Sequence, residues 1–241
     1  MPELVVCLQH DETDHLGVGE ETLRAEGLSI QYLPLWKGGP TPSGADLEAL
    51  VILGGEMNAD QTERYPFLDA ERQLVRECAA AAVPTLGICL GGQVMARAFG
   101  AAVAAGSSRE AGFLPVHPTP AALSDPLLSV YEEGDRVLRW HEDAFEVPDG
   151  GELLLRGGSV APNQGFRVGA TSWGVQFHPE VTRELAEDWL AMVGDRLEGH
   201  WGRKPEELRA DLAEFLPAQQ KRSRELFRRF AAQVRAHARP T

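Results

Sequence analysis

The 241-residue chain carries 36 Asp and Glu against 23 Lys and Arg, a formal net charge of −13, and is 43% hydrophobic and 24% charged. This balance is that of a folded globular protein of one large domain, or one domain with an appendage, and it argues against a nucleic-acid-binding surface across the whole molecule. No apolar run approaches the ~20 residues of a membrane helix, the opening MPELVVCLQH lacks the basic region of a signal peptide, and the three cysteines (Cys7, Cys78 and Cys89) form neither a zinc spacing nor a disulfide framework. A reducing cytoplasm is the expected setting, without a membrane or nucleic-acid partner.

In chain order, residues 4–8 form an apolar run suited to a buried parallel strand. The loop after it holds His10, Asp11, Asp14 and His15, without a recognised metal-ligand spacing. A loop leaving the carboxyl end of a first strand lies on the ligand-binding edge of an open α/β sheet, so a place on the rim of a site is preferred over a metal. Residues 20–26 read as helix ended by Gly27, residues 28–35 as a second strand, residues 37–44 as a Gly/Pro-rich loop, and residues 49–53 as a third strand stopped by Gly54 and Gly55. A helix over 66–82 buries Phe67, Leu74, Val75 and Cys78, which makes Cys78 a packing residue.

Residues 85–88 form a short apolar strand that runs into Gly-Ile-Cys-Leu-Gly, and a helix pattern follows at Val94, Met95, Ala98 and Phe99. A reactive side chain on a sharp strand-to-helix turn between glycines matches a nucleophile elbow, with Cys89 where a serine would stand. At a helix N-terminus, free N–H groups and the positive dipole end favour a thiolate. Read alone, the same residues fit a buried packing cysteine equally well. The stretch 174–180, GVQFHPE, breaks the tie, because a catalytic cysteine needs a base and the base needs an orienting group. His178 and Glu180 supply those two roles if the fold brings them to Cys89.

Between these stretches, residues 101–105 read as a further strand, and residues 106–169 as sheet extension and hairpins over the active-site edge. After them, residues 183–193 read as helix, 194–204 as a break, and Pro205 as the opening of another helix at a favoured first-turn position. A last helix, 218–238, carries Leu226, Phe227, Phe230, Ala231 and Val234 on one face, which is expected to pack on the domain. Residues 1–182 hold 11 basic against 26 acidic side chains, a net of −15, whereas residues 183–241 hold 12 against 10, a net of +2. The basic run Lys221, Arg222, Arg224, Arg228, Arg229, Arg235 and Arg239 reads as a solvated helix face. The alternation of short apolar strands with helices predicts an α/β fold.

GICLGGQ followed by GVQFHPEV resembles the class I (triad-type) glutamine amidotransferases, and most closely stand-alone members similar to the amidotransferase domain of GMP synthase. LGGEMNAD at 53–60, ERYPFLDAE at 63–71, WHEDAFEVP at 140–148 and APNQGFRVG at 161–169 support the likeness, which covers most of residues 3–192. The resemblance implies a three-layer αβα domain with a mainly parallel, flavodoxin-like sheet over residues 1–192, followed by a helical C-terminal extension over 193–241. It implies a Cys89–His178–Glu180 triad, backbone N–H donors of Gly55 and Leu90 for the oxyanion, and Gln93, Glu110 and His141 as substrate-binding residues. The implied reaction cleaves the side-chain amide of glutamine through a γ-glutamyl thioester, with no metal or organic cofactor, and hands ammonia to a separate synthase subunit. Two alternatives stand beside it: a γ-glutamyl amide or peptide hydrolase without a synthase, and a non-catalytic binding module of the same fold. Relatives commonly carry proline where Glu56 stands and glycine where Glu142 stands, so two carboxylates are expected near the pocket.

Overall fold

In the computed structural model, the described residues are 2–106 and 108–238; Arg239 of the basic run lies outside them. In chain order these residues form β1 (Leu4–Gln9), α1 (Val18–Ala25), β2 (Ser29–Pro34), β3 (Ala49–Ile52), α2 (Phe67–Ala80), β4 (Thr85–Ile88), α3 (Leu90–Ala98), β5 (Val103–Ala104), β6 (Glu110–Pro118), β7 (Asp135–His141), β8 (Ala144–Phe145), β9 (Glu152–Arg156), β10 (Asn163–Val168), β11 (Ser172–Val175), α4 (Arg183–Val193), α5 (Arg196–Trp201) and α6 (Pro205–His237).

The main sheet has the order β2-β1-β3-β4-β11-β10-β9-β6-β7. Its first five strands are parallel, paired for example as Val6 with Gln31, Leu50 with Thr85, and Gly174 with Gly87. This is the doubly wound, flavodoxin-like arrangement, in which the central strands are covered on both faces and therefore apolar throughout. All four residues of β3, of β4 and of β11 are buried. Strands β10, β9, β6 and β7 continue the sheet antiparallel, as expected for the middle of the chain.

The pleat sends alternate side chains into two cores. Val5, Cys7, Ala49, Val51, Leu86 and Ile88 pack with Leu226, Phe227, Phe230 and Val234 of α6, whereas Val6, Leu8, Leu50 and Ile52 pack with Leu74, Val75 and Cys78 of α2 and Met95 of α3. A third cluster joins Phe113 and Leu138 of β6 and β7 to Leu190, Leu197, Leu208 and Leu212 of α4, α5 and the first half of α6.

Three sequence expectations change. Residues 101–105 yield only the two-residue β5, which pairs with β8 outside the main sheet. The expected break at 194–204 contains α5. The two expected C-terminal helices are one helix of 33 residues that runs through Pro217. Proline removes the N–H that would bond the carbonyl four residues back. Pro217 and Ala213 both face solvent, so that carbonyl is open to water while the buried face holds the helix together. The basic residues of α6 are not merely solvated: Arg222 pairs with Asp135 at 3.0 Å, and Arg235 with Glu26 of the α1 C-cap at 3.1 Å.

Candidate active site

The carboxyl ends of β1, β3, β4 and β11 open into a cavity of about 800 Å³, closed on the far side by the end of β7 and by α4 and α5. Cys89 sits between β4 and α3 with φ 52° and ψ −108°. A positive φ at a non-glycine residue is a strained backbone that the surroundings must impose. Here the elbow glycines let the surroundings close in. A Cβ on Gly91 would stand 2.2 Å from Ile52 O, and one on Gly87 would stand 2.5 Å from Gly91 O. The turn is pinned further by Cys89 N–H donating to Val175 O at 2.8 Å and Gly91 N–H to Leu53 O at 3.1 Å.

His178 follows β11, the strand beside β4, so the sheet brings it to Cys89 across 89 positions of sequence. Both flank Gly54, where a Cβ would lie 3.4 Å from His178 Cε1 and 3.8 Å from Cys89 Cβ. Both also face one carbonyl: Trp140 O is 3.4 Å from His178 Nε2 and 3.9 Å from Cys89 Sγ. On the other side of the ring, His178 Nδ1–H donates to Glu180 Oε1 at 2.7 Å, and both residues are buried. Burial by itself disfavours a charged imidazole, but the adjacent Glu180 carboxylate and then the charge of Cys89 hold the His178 pKa well above its ordinary value. Cys89, His178 and Glu180 thus stand in series, with the imidazole between the thiol and the carboxylate.

The N–H groups of Gly55 and Leu90 make no hydrogen bond among the described residues, and Gly55 lines the cavity. Gln93, at the first turn of α3, donates to Asp143 O at 3.2 Å and to Gln176 Oε1 at 3.3 Å, and lines the cavity. His141 lines it too, and Glu110 stands behind it: Glu110 Oε2 is 3.2 Å from His141 Nε2 and 3.1 Å from Arg139 Nη1. Glu110 is not among the lining residues, so its contact with the site runs through His141. His141 Nδ1 has no hydrogen-bond partner among the described residues.

Asp11, Asp14 and His15 line the cavity as rim residues, and no group of three or more potential metal ligands occurs among the described residues. Burial raises the Asp14 carboxyl to about 7, against the lowering effect of His10. His10 departs from the rim expectation. It is buried against Glu71 and Gly54, away from solvent. Glu56 lines the cavity exposed and has no partner among the described residues, whereas Glu142 is bound by Arg109 at 3.3 Å and by His200 of α5 at 2.7 Å.

Several contributors escaped the sequence reading. Gln176 Nε2–H points at Cys89 Sγ from 3.7 Å, and its spacing of two from His178 was the available signal. Trp189 of α4 packs in a T-shaped contact with His178, ring centroids 4.8 Å apart, and Trp140 and Trp201 extend that wall. Gln219, from the middle of α6, donates to His178 O at 2.7 Å and accepts from Leu138 N–H at 2.6 Å. Nothing local in the sequence links position 219 to position 178.

Residues 22–191 match the profile of the glutamine amidotransferase class-I family. The chain is 30% identical over 182 residues to the glutamine amidotransferase-like protein YfeJ of Salmonella typhimurium, covering 74% of this chain and 76% of that one. It is 30% identical over 188 residues to one subunit of the glutamine-hydrolysing GMP synthase of Natronomonas pharaonis, covering 77% and 92%. It spans only 22% of the length of the GMP synthase of Porphyromonas gingivalis, at 36% identity over 118 residues that make up 48% of this chain. A crystal structure of a glutamine amidotransferase from Thermotoga maritima superposes with a TM-score of 0.79 at 29% identity, over 98% of each chain.

Proposed function

This chain belongs to the class I glutamine amidotransferase family, and on that premise we propose that it hydrolyses the side-chain amide of glutamine with Cys89, His178 and Glu180. The observation that carries the reading is Cys89 held at φ 52° on the elbow, next to a His178 whose far nitrogen is bound to Glu180 at 2.7 Å. The Cys89 thiolate adds to the amide carbon, and the carbonyl π pair moves onto oxygen, where the Gly55 and Leu90 N–H groups receive it. The imidazolium of His178 gives its proton to the departing nitrogen, the C–N bond breaks, and ammonia leaves a γ-glutamyl thioester. Neutral His178 then takes a proton from water as it attacks the thioester, which releases glutamate and restores the thiolate. Gln93 and His141 bind the amino-acid end of the substrate, with Glu110 setting the His141 ring. The reading requires no metal or organic cofactor.

Residues 1–192 act as the catalytic domain in this reading, and residues 193–241 as its extension, working in a reducing cytoplasm. The Natronomonas relative is by name one subunit of a synthase, which supports a separate synthase partner as the ammonia acceptor here. A second reading, hydrolysis of a larger γ-glutamyl amide, is favoured by the cavity of about 800 Å³, which is drug-sized rather than amino-acid-sized. The test is a panel of glutamine and γ-glutamyl amides scored for released ammonia or amine. Release from none of them would overturn both readings and leave a binding module.

A further inference from the structure

We infer that His10, backed by Glu71, is a positioning residue for the oxyanion hole: it fixes the Gly54–Gly55 peptide so that the Gly55 N–H faces the substrate oxygen. The inference rests on the hydrolase reading given above. His10 and Glu71 have fully buried side chains, a costly place for a charged pair. His10 Nδ1 is 2.6 Å from Gly54 O, and His10 Nε2 is 2.8 Å from Glu71 Oε1. Both neighbours are acceptors, so both ring nitrogens donate, which only the imidazolium can do. Glu71 supplies the countercharge, and stacking on Phe67 at 5.9 Å fixes the ring plane.

The consequence follows from the geometry of one peptide. No peptide bond among the described residues is cis, so the Gly54 C=O and the Gly55 N–H point in opposite directions. With the carbonyl turned to His10, the N–H turns away from it, and that N–H makes no hydrogen bond among the described residues. Both glycines line the cavity, and Gly54 is the residue that Cys89 and His178 flank. Two consecutive glycines leave this peptide free to flip, since neither carries a side chain to hold it. A flipped peptide would aim its carbonyl oxygen at the developing oxyanion, replacing a donor by a repulsive dipole. His10 blocks the flip from the far side. It sits at the end of β1 and Glu71 sits on α2, so the clamp ties the oxyanion loop to two elements of the frame.

The test compares His10→Asn with His10→Gln in the full chain. An Asn amide overlays Nδ1 and keeps the bond to Gly54 O, whereas a Gln amide overlays Nε2, reaches Glu71 and leaves Gly54 O unbound. The best amide of the panel gives kcat and KM, iodoacetamide gives the alkylation rate of Cys89, and an aldehyde analogue of glutamine reports affinity for a tetrahedral adduct. His10→Gln should lose about 10²-fold in kcat, and a similar factor in aldehyde affinity, at nearly unchanged KM and alkylation rate; His10→Asn should recover most of the loss. If both fail to fold, the double variant His10→Met/Glu71→Met removes the charges together and should show the same selective loss. Equal kcat for the Asn and Gln variants of an active enzyme would overturn the inference and leave the hydrolase reading standing. So would alkylation falling in step with kcat. A wild type that neither releases amine nor reacts at Cys89 would overturn that reading and the inference with it.

Discussion

Replacing Glu180 by Gln tests whether this carboxylate drives the chemistry or merely fills space. Glu180 is buried and takes the Nδ1–H of His178 at 2.7 Å. Glutamine keeps the volume and can still accept that hydrogen bond through its carbonyl oxygen, so the substitution removes mainly the charge. Two unit charges about 4 Å apart interact by about 4 kcal/mol at an effective dielectric of about 20. Loss of that attraction lowers the His178 pKa and weakens the imidazolium that must protonate the departing nitrogen. About 4 kcal/mol corresponds to roughly 10³ in rate, and an amide turned the other way would add to the loss by enforcing the wrong tautomer. The assay is steady-state release of ammonia from glutamine at neutral pH, with kcat and KM separated. The expected result is a drop of about 10³ in kcat with KM little changed, and a still larger drop for His178→Ala, which removes the base itself. Activity of Glu180→Gln within about three-fold of wild type would refute the electrostatic role, because no screening at so buried a site reduces the pair to that level.

Cys89→Ala should abolish amide hydrolysis with circular dichroism and melting temperature nearly unchanged; an electrophilic glutamine analogue should label Cys89, which lines the cavity, and spare Cys7 and Cys78, which do not, with burial pushing Cys78 up to about 12. Glu142→Ala unties His200 of α5 from Arg109 at a partly exposed site, so KM should rise by about two- to five-fold with kcat unchanged, as suits a screened surface pair; a matching fall in kcat would place Glu142 in the chemistry instead. Stability should depend on His10: burial would lower its pKa, but the charge and hydrogen bond of Glu71 and the Gly54 carbonyl raise it from 6.5 to about 9. A group whose pKa is raised on folding stabilises fully below the unfolded value and loses that contribution as pH rises through the folded one. Urea midpoints should therefore fall between about pH 6.5 and 9, and Glu71→Gln should flatten that decline; an unaltered slope would remove the pair from the balance.

Elements whose patterns are local were legible from the chain alone. The apolar runs of β1, β3 and β4 are buried on both faces, so no polar alternation was needed to read them, and the elbow was legible because Gly87 and Gly91 meet backbone at 2.5 and 2.2 Å, where no side chain fits. The spacing of two that joins His178 to Glu180 is likewise written along one stretch of chain. Features that depend on surroundings emerged only with the packed fold. Pro217 reads as a helix boundary, yet the helix passes it because packing on the third core outweighs one missing hydrogen bond. The segment 194–204 reads as a break because α5 is six residues long, too short to show a period, and is held by Leu197 in the core and His200 on Glu142. His10 looked like one more charge in a polar loop, and only the packing of α2 against the end of β1 shows that its partners are Glu71 and a single backbone carbonyl. Gln219 reaches His178 from 41 residues away, a contact set by the path of α6 across β7. Periodicity and steric exclusion are properties of neighbours in sequence, and a chain records them directly; the partner of a buried polar group is a property of neighbours in space, which exists only once the sheet has closed around it.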